Sequence, residues 1–333
     1  MEELNNKFLL IAKHLFVNAG SVEDGENVLI LYDKTTKDLL YFFKKASEDL
    51  NINLSFLEVS LLKNHGTEIN SYLSSKMKRN DLVMALLKKS IAHTKARMHF
   101  NSVGGRFLSL PDYNFGMFSH PSILFDFKSQ LQITKKITNI LSKSDHLEVR
   151  SSLGTSLKMN IKGRKANCCP GFVDKNHLLG SPPDIETNIS PIEEESNGKI
   201  IVDGSITVES IGLLKTPVEL EIIDGKIKSF KSKDKIIKKN IEEIFSNIKN
   251  PKAYYLAECG IGLNPMSQLT GNMLTDEGAF GCIHFGFGSN ITVGGKNDVP
   301  FHLDFVIKKP DLFIDGFKII ERGNLRELQY ATN

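Results

Sequence analysis

No apolar run in this chain approaches the ~20 residues needed to cross a bilayer, so no membrane-spanning helix is expected. The opening residues Met1-Glu2-Glu3-Leu4-Asn5-Asn6-Lys7 are polar and acidic first, unlike a secretory signal. An excess of one charge is also lacking. Lys and Arg total 42 against 39 Asp and Glu, a net +3, which gives no case for nucleic acid or a membrane surface as partner. Cysteine is scarce: Cys168, Cys169, Cys259 and Cys282 form no CxxC pair and no zinc-ribbon spacing. Neighbouring cysteines bridge only with strain, so reduced thiols and cytoplasmic residence are expected. No P-loop occurs, and Gly20-Ser21-Val22-Glu23-Asp24-Gly25 precedes a strand rather than following one, so the dinucleotide fingerprint is absent too. Internal repeats and low-complexity tracts are missing as well.

A length of 333 residues makes two domains the natural expectation. In residues 1–147, helical and strand patterns alternate. Lys7 to Asn18 and Lys37 to Asp49 carry apolar residues at helical spacing. Asn27 to Asp33, Ile52 to Val59 and Asp81 to Leu87 are short apolar runs suited to buried parallel strands. This pattern predicts an open α/β sheet with right-handed crossovers. Residues 148–333 read as an α+β domain rich in antiparallel strands. His146 to Ile161 reads as two strands around Gly154. Gly198 to Ile206 and Val218 to Ile227 alternate, and Asp224-Gly225 marks a hairpin. Asp234 to Lys249 is a charged amphipathic helix, its lysine run a solvated face. The proline-rich, acidic segment 180–198 is expected to be mostly loop.

The chemistry concentrates near the C-terminus. Phe301-His302-Leu303-Asp304-Phe305 places an imidazole and a carboxylate on one side of a strand. Glu258 closes an apolar strand, and His284 stands in a glycine-rich stretch, Gly281 to Gly295. Glycine admits close backbone approach, so donors joined by glycines suggest a built cavity. Imidazole and carboxylate suit zinc, manganese, cobalt or iron. Such an ion can lower the pKa of bound water to roughly 7. Glu186, Asp276 and Glu277 are further candidates, and Cys282 could line the site. In the first domain, Arg97 and Arg106 could hold an anionic group. Read alone, each of these residues also fits a plain core, turn or surface role.

Taken together, the motifs resemble the metal-dependent aminopeptidase T / aminopeptidase S family. Pro183-Asp184-Ile185-Glu186 with Pro191 matches the spacing around that family's first ligand glutamate. Glu258 matches the second, Asp276-Glu277-Gly278-Ala279 and His284 a third segment, and His302-Leu303-Asp304-Phe305 the closing one. His93 to Arg97 and Gly104-Gly105-Arg106 also look similar. The resemblance implies a homodimer acting on a small peptide or other small molecule. Glu186, Glu258, His284, His302 and Asp304 would hold zinc, cobalt or manganese, and Glu186 or Glu277 would be the general base for attack of water on an N-terminal amide. The family's tyrosine after the first histidine has no counterpart here, because no tyrosine falls between Tyr255 and Tyr330. This opens an alternative. The same fold resembles 2,5-dihydroxypyridine dioxygenase, which implies one Fe(II) held by His284, His302 and Asp304. A non-catalytic binding or scaffold relative is the third reading.

Overall fold

The structure is a computed structural model, described over residues 2–326; the end of the expected second domain, 327–333, lies outside the described residues. The chain forms two compact units, Met1–Leu131 with Cys169–Pro183, and Gln132–Cys168 with Asp184–Asn333. The units therefore interleave, where the sequence suggests one division after residue 147. Two features explain the course. Ile137, Thr138 and Leu141 of the helix Leu131–Leu141 are buried, and Thr138 Oγ1 lies 2.8 Å from Thr187 Oγ1 in the second unit. Later, Leu179–Gly180 returns to pair beside Arg106–Ser109 in the first.

The first unit holds an α/β sheet of five parallel strands. Their order is Asn53–Glu58, Asn27–Tyr32, Leu82–Leu86, Arg106–Ser109, Leu179–Gly180. The central strands read as unbroken apolar runs because both faces are covered. Leu29, Leu31, Val83 and Ala85 pack with Leu73 and Met77 of the helix Ser71–Met77 and with Phe100 of the helix Lys95–Ser102. The helical reading from Lys7 becomes an α-helix, Glu2–His14, that runs into a π-turn, Leu15–Ala19.

The second unit carries two antiparallel sheets. Eight strands run in the order 226–232, 218–223, 196–202, 156–160, 146–150, 311–314, 317–321, 324–325. Seven more form the sheet that bears the site: 212–213, 205–206, 302–308, 282–288, 256–262, 186–189, 167–169. The hairpin at Asp224-Gly225 forms, with φ of 49° and 68° as a type I′ turn requires. Asp234 caps the helix Lys235–Ile248 through the amides of Ile236 and Ile237. Segment 180–198 is loop for most of its length, but it contains a fully buried strand, Glu186–Ile189. Three of its four residues are polar and only Ile189 is apolar, so no strand pattern stands out between the prolines and acids. Among the described residues, no helix is long and apolar enough to cross a membrane.

Candidate metal centre

Four neighbouring strands build the site: Glu186–Ile189, Leu256–Gly262, Cys282–Gly288 and His302–Lys308. Side chains alternate between faces along each strand. One face is apolar, with Ile189, Cys259, Phe285 and Phe305 aligned across the four strands. Phe287 meets Phe305 edge-on at 5.4 Å, and Phe245 of the helix Lys235–Ile248 covers Phe305 at 6.2 Å. That packing fixes the sheet and leaves the other face for polar groups.

On the polar face, glycines alternate with donors. Gly260 lies between Asn188 and His284 in register, and Gly286 between Glu258 and Asp304. A Cβ on Gly260 would run into the His284 ring and the Glu186 carboxylate. One on Gly286 would meet the His302 ring and Asp304. The glycines are the floor over which the imidazoles lie.

Glu258 stands at the centre. Its Oε1 is 3.8 Å from His284 Nε2 and its Oε2 is 3.4 Å from His302 Nε2. Glu186 Oε2 is 3.1 Å from His284 Nε2, and Asp304 Oδ1 is 3.2 Å from His302 Nε2. Two donor groups result, Glu186–Glu258–His284 and Glu258–His302–Asp304, each with its donor atoms within 4.8 Å of one another. The triad His284, His302, Asp304 does not stand as one such group, because Glu258 sits between the imidazoles. His302 Nδ1 donates to the Ser289 carbonyl at 2.8 Å, and a carbonyl only accepts, so Nε2 is the nitrogen turned to the carboxylates. The His302 side chain is 33% exposed and the other four are 8% or less, so the cluster opens to solvent at His302.

Two imidazoles share this space with five carboxyls, counting Asp184 and Glu277. Burial is the largest influence on each acid and disfavours its charge. It keeps Asp184 and Glu277 well above the usual carboxylate range, with neighbouring acids adding to the effect. Burial also lifts Glu186 to about 7 against the pull of His284. At Glu258 burial is outweighed by the hydrogen bonds and charges of both histidines, which bring it to about 2. Asp304 is lowered in the same way by His302. Burial would lower His284, but Glu186, Glu258 and Asp304 together raise it to about 9. Three polar atoms in this cluster are buried without hydrogen-bond partners: Glu186 Oε2, His284 Nδ1 and Asp184 Oδ1. An excess of acids, unmet lone pairs and imidazoles over glycine fit a divalent cation, whose charge would reverse the repulsion.

The structure thus gathers Glu186, Glu258, His284, His302 and Asp304. Glu277 lies outside both donor groups, in side-chain contact with Asp304. Other candidates are placed elsewhere. Asp276 is no ligand: it accepts from Ser205 Oγ, from the amides of Thr270 (2.7 Å) and Gly271 (3.0 Å), and from Thr275 Oγ1 (2.9 Å), pinning its own loop. Cys282 packs with Ala279 and Val306, and burial pushes its thiol up to about 12. Arg106 is spent inside the first unit on the Gly20 carbonyl (2.9 Å), the Ser21 carbonyl and Glu26. Arg97 is bound to the Ala92 carbonyl and, at 3.0 Å, to Asn101. Sequence reasoning missed Asp184 and Asn188, although Asn188 is two residues from Glu186 and hence on its face.

A two-unit α/β chain with imidazole and carboxylate donors on a glycine-floored antiparallel sheet defines a candidate metalloprotein of the histidine–carboxylate class. The chain belongs to the 2,5-dihydroxypyridine 5,6-dioxygenase (NicX) family, whose model matches residues 11–327. A curated relative of that name from Pseudomonas putida KT2440 is 24% identical over 196 residues, covering 56% of this chain and 55% of the relative. The chain thus matches about half the length of that relative. The solved structure of 2,5-dihydroxypyridine dioxygenase from the same organism superposes with a TM-score of 0.82 at 18% identity, covering 98% of each chain. AmpT from Thermus thermophilus superposes with a TM-score of 0.70 at 13% identity, over 96% of this chain and 99% of its own. At those identities the two structures establish the shared fold.

Proposed function

We propose that this chain is a metal-dependent ring-cleaving dioxygenase acting on a small hydroxylated aromatic ring, a hydroxypyridine being the first compound to try. Family membership supports this over hydrolysis of an N-terminal amide, the activity suggested by the first resemblance. The observation that carries the metal requirement is Glu258, buried with one oxygen facing each imidazole. Bound Fe(II) would supply the one-electron chemistry that lets O2 react with a closed-shell ring. The remaining tasks belong to the chain. Glu258, His284, His302, Asp304 and Glu186 furnish the donors. Ser289 keeps His302 Nε2 turned inward. Glu277, whose carboxyl burial keeps well above the usual carboxylate range, stands in side-chain contact with Asp304 and would be the proton-handling group there. The cluster is open at His302, the side from which a small ring would reach the donors. The phenylalanine-rich face behind the floor excludes water from that side.

A second reading rests on the same carboxylate. A carboxylate shared by two donor groups also suits two ions and hydrolysis by metal-activated water, and AmpT has the same fold. The test is anaerobic reconstitution with Fe(II), followed by metal counting and oxygen uptake on 2,5-dihydroxypyridine and on catechols. One iron per chain with substrate-dependent uptake supports the dioxygenase. Two zinc, cobalt or manganese ions per chain, with amino acids released from short peptides and no uptake, would overturn it.

A further inference from the structure

Glu186 has two oxygens, and the fold treats them differently. Oε2 faces His284 Nε2 at 3.1 Å, while Oε1 accepts from Asn188 Nδ2 at 2.7 Å. Asn188 is itself buried, and its Oδ1 accepts from Asn167 Nδ2 at 2.8 Å. The same Asn167 nitrogen lies 3.5 Å from the Val293 carbonyl. A carboxylate oxygen and a main-chain carbonyl can only accept, so both ends of this chain of amides are fixed in direction. Asn167 must present NH2, Asn188 must answer with its carbonyl oxygen, and the Asn188 NH2 must point at Glu186. Neither amide can flip without setting oxygen against oxygen.

We propose that Asn188, aligned by Asn167, is a positioning residue that occupies Glu186 Oε1 and leaves Oε2 alone as the donor facing His284. The inference rests on the reading of this cluster as a metal centre and deepens it. Its physical content is a restriction on a flexible side chain. A glutamate with both oxygens free can turn about its last torsion and offer either or both. With Oε1 engaged by a buried amide, that torsion is locked and the carboxylate meets the cation through one oxygen. Strand register makes this possible. Asn188 pairs with Gly260, which has no side chain to intrude, and stands two residues from Glu186 on one face. Thr187, between them, points the other way to Thr138 and to the Asn167 carbonyl, tying the same two segments together from behind.

The probe is Co(II) alone, titrated into metal-free full-length chain, with the visible d–d spectrum and the dissociation constant as readouts. Asn188→Ala should weaken binding by about 10–100-fold, the usual cost of removing a group that orients a metal ligand. It should also change the band shape, because Glu186 gains a second available oxygen. Asn188→Asp, which keeps the shape but places acceptor against acceptor, should lose at least as much. Asn167→Ala should move the spectrum in the same direction by less, and it carries the test if Asn188→Ala does not fold. Thr138→Val serves as the control: it removes a hydrogen bond behind the same strand, so it should lower thermal stability and leave the spectrum unchanged. Wild-type affinity and spectrum in a folded Asn188→Ala or Asn167→Ala would overturn the proposal while leaving the metal centre standing. No Co(II) binding by the wild-type chain would overturn the metal centre itself, and this proposal with it.

Discussion

Gly260→Ala is the sharpest probe of the site because it adds one methyl group and removes no donor. Gly260 has no positive φ, so the backbone there accepts alanine. The obstacle is contact alone. The new Cβ would lie 2.1 Å from two atoms of the His284 ring and 2.9 Å from Glu186 Oε2, so the imidazole must retreat by about 1 Å or more to restore normal separation. Overpacking of this kind costs about 1–3 kcal/mol of stability. The larger effect is on the donors. If displacement of His284 weakens divalent-ion binding about 100-fold, stabilisation at a metal concentration of 100 times the wild-type Kd falls from about 2.7 to about 0.4 kcal/mol. For a unit of this size that is a metal-induced rise in Tm of about 5–10 °C shrinking to about 1–2 °C. The assay is a thermal melt of metal-free chain with and without Fe(II) or Co(II). Gly105→Ala is the matched control: its Cβ would strike the Phe100 ring, so it overpacks the first unit and should leave the metal response intact. A full wild-type response in folded Gly260→Ala would refute the placement of His284 over position 260.

Other consequences can be checked with simpler measurements. His302→Ala removes the one partly exposed donor and should abolish metal retention, read by elemental analysis after desalting; unchanged content would remove it from the site. Asp276→Ala should lower stability by about 2–4 kcal/mol by stranding four donors, with metal stoichiometry unchanged in the folded fraction. In chelator, the metal-free chain should lose stability from about pH 5 to pH 9. Glu186, raised to about 7, and His284, raised to about 9, each hold their proton more tightly when folded, so their contributions are complete below their unfolded pKa values and fade as pH rises through the folded ones. Glu258, lowered to about 2, works oppositely, and its contribution is lost only as pH falls below the ordinary glutamate range. Glu186→Gln should flatten the lower part of the decline; a pH-independent Tm in wild type would contradict the charge arrangement.

The parts of this fold that the sequence announces are those with a long repeat or a strong terminator. The parallel strands at 27–32 and 82–86 show as unbroken apolar runs because both faces are buried. The hairpin at 224–225 and the helix beginning after Asp234 carry their own turn and cap chemistry. The donors were legible for a related reason. His302 and Asp304 sit at the strand period, and glycines mark the places where rings must lie close to backbone. Short elements gave no such signal. A two-residue strand at Leu179–Gly180 has no period, so the return of the chain to the first unit was invisible. Arg106 and Asp276 also carry the charges a site would need, yet Arg106 is satisfied by partners distant in sequence, and Asp276 by its own loop together with distant Ser205. The sharing of Glu258 between two imidazoles depends on strand register, and it separates His284 from the pair at 302 and 304.

All five donors spring from hydrogen-bonded strands, and none from a connecting segment. Backbone positions in such a lattice repeat about every 4.8 Å across the strands and cannot drift to suit a larger or smaller ion. Fine adjustment is therefore left to side-chain reach, which differs by one methylene between aspartate and glutamate. The choice of Asp at 304 and Glu at 258 becomes a caliper for ionic radius, and exchanging the two acids would retune which cation is retained without disturbing a single main-chain bond.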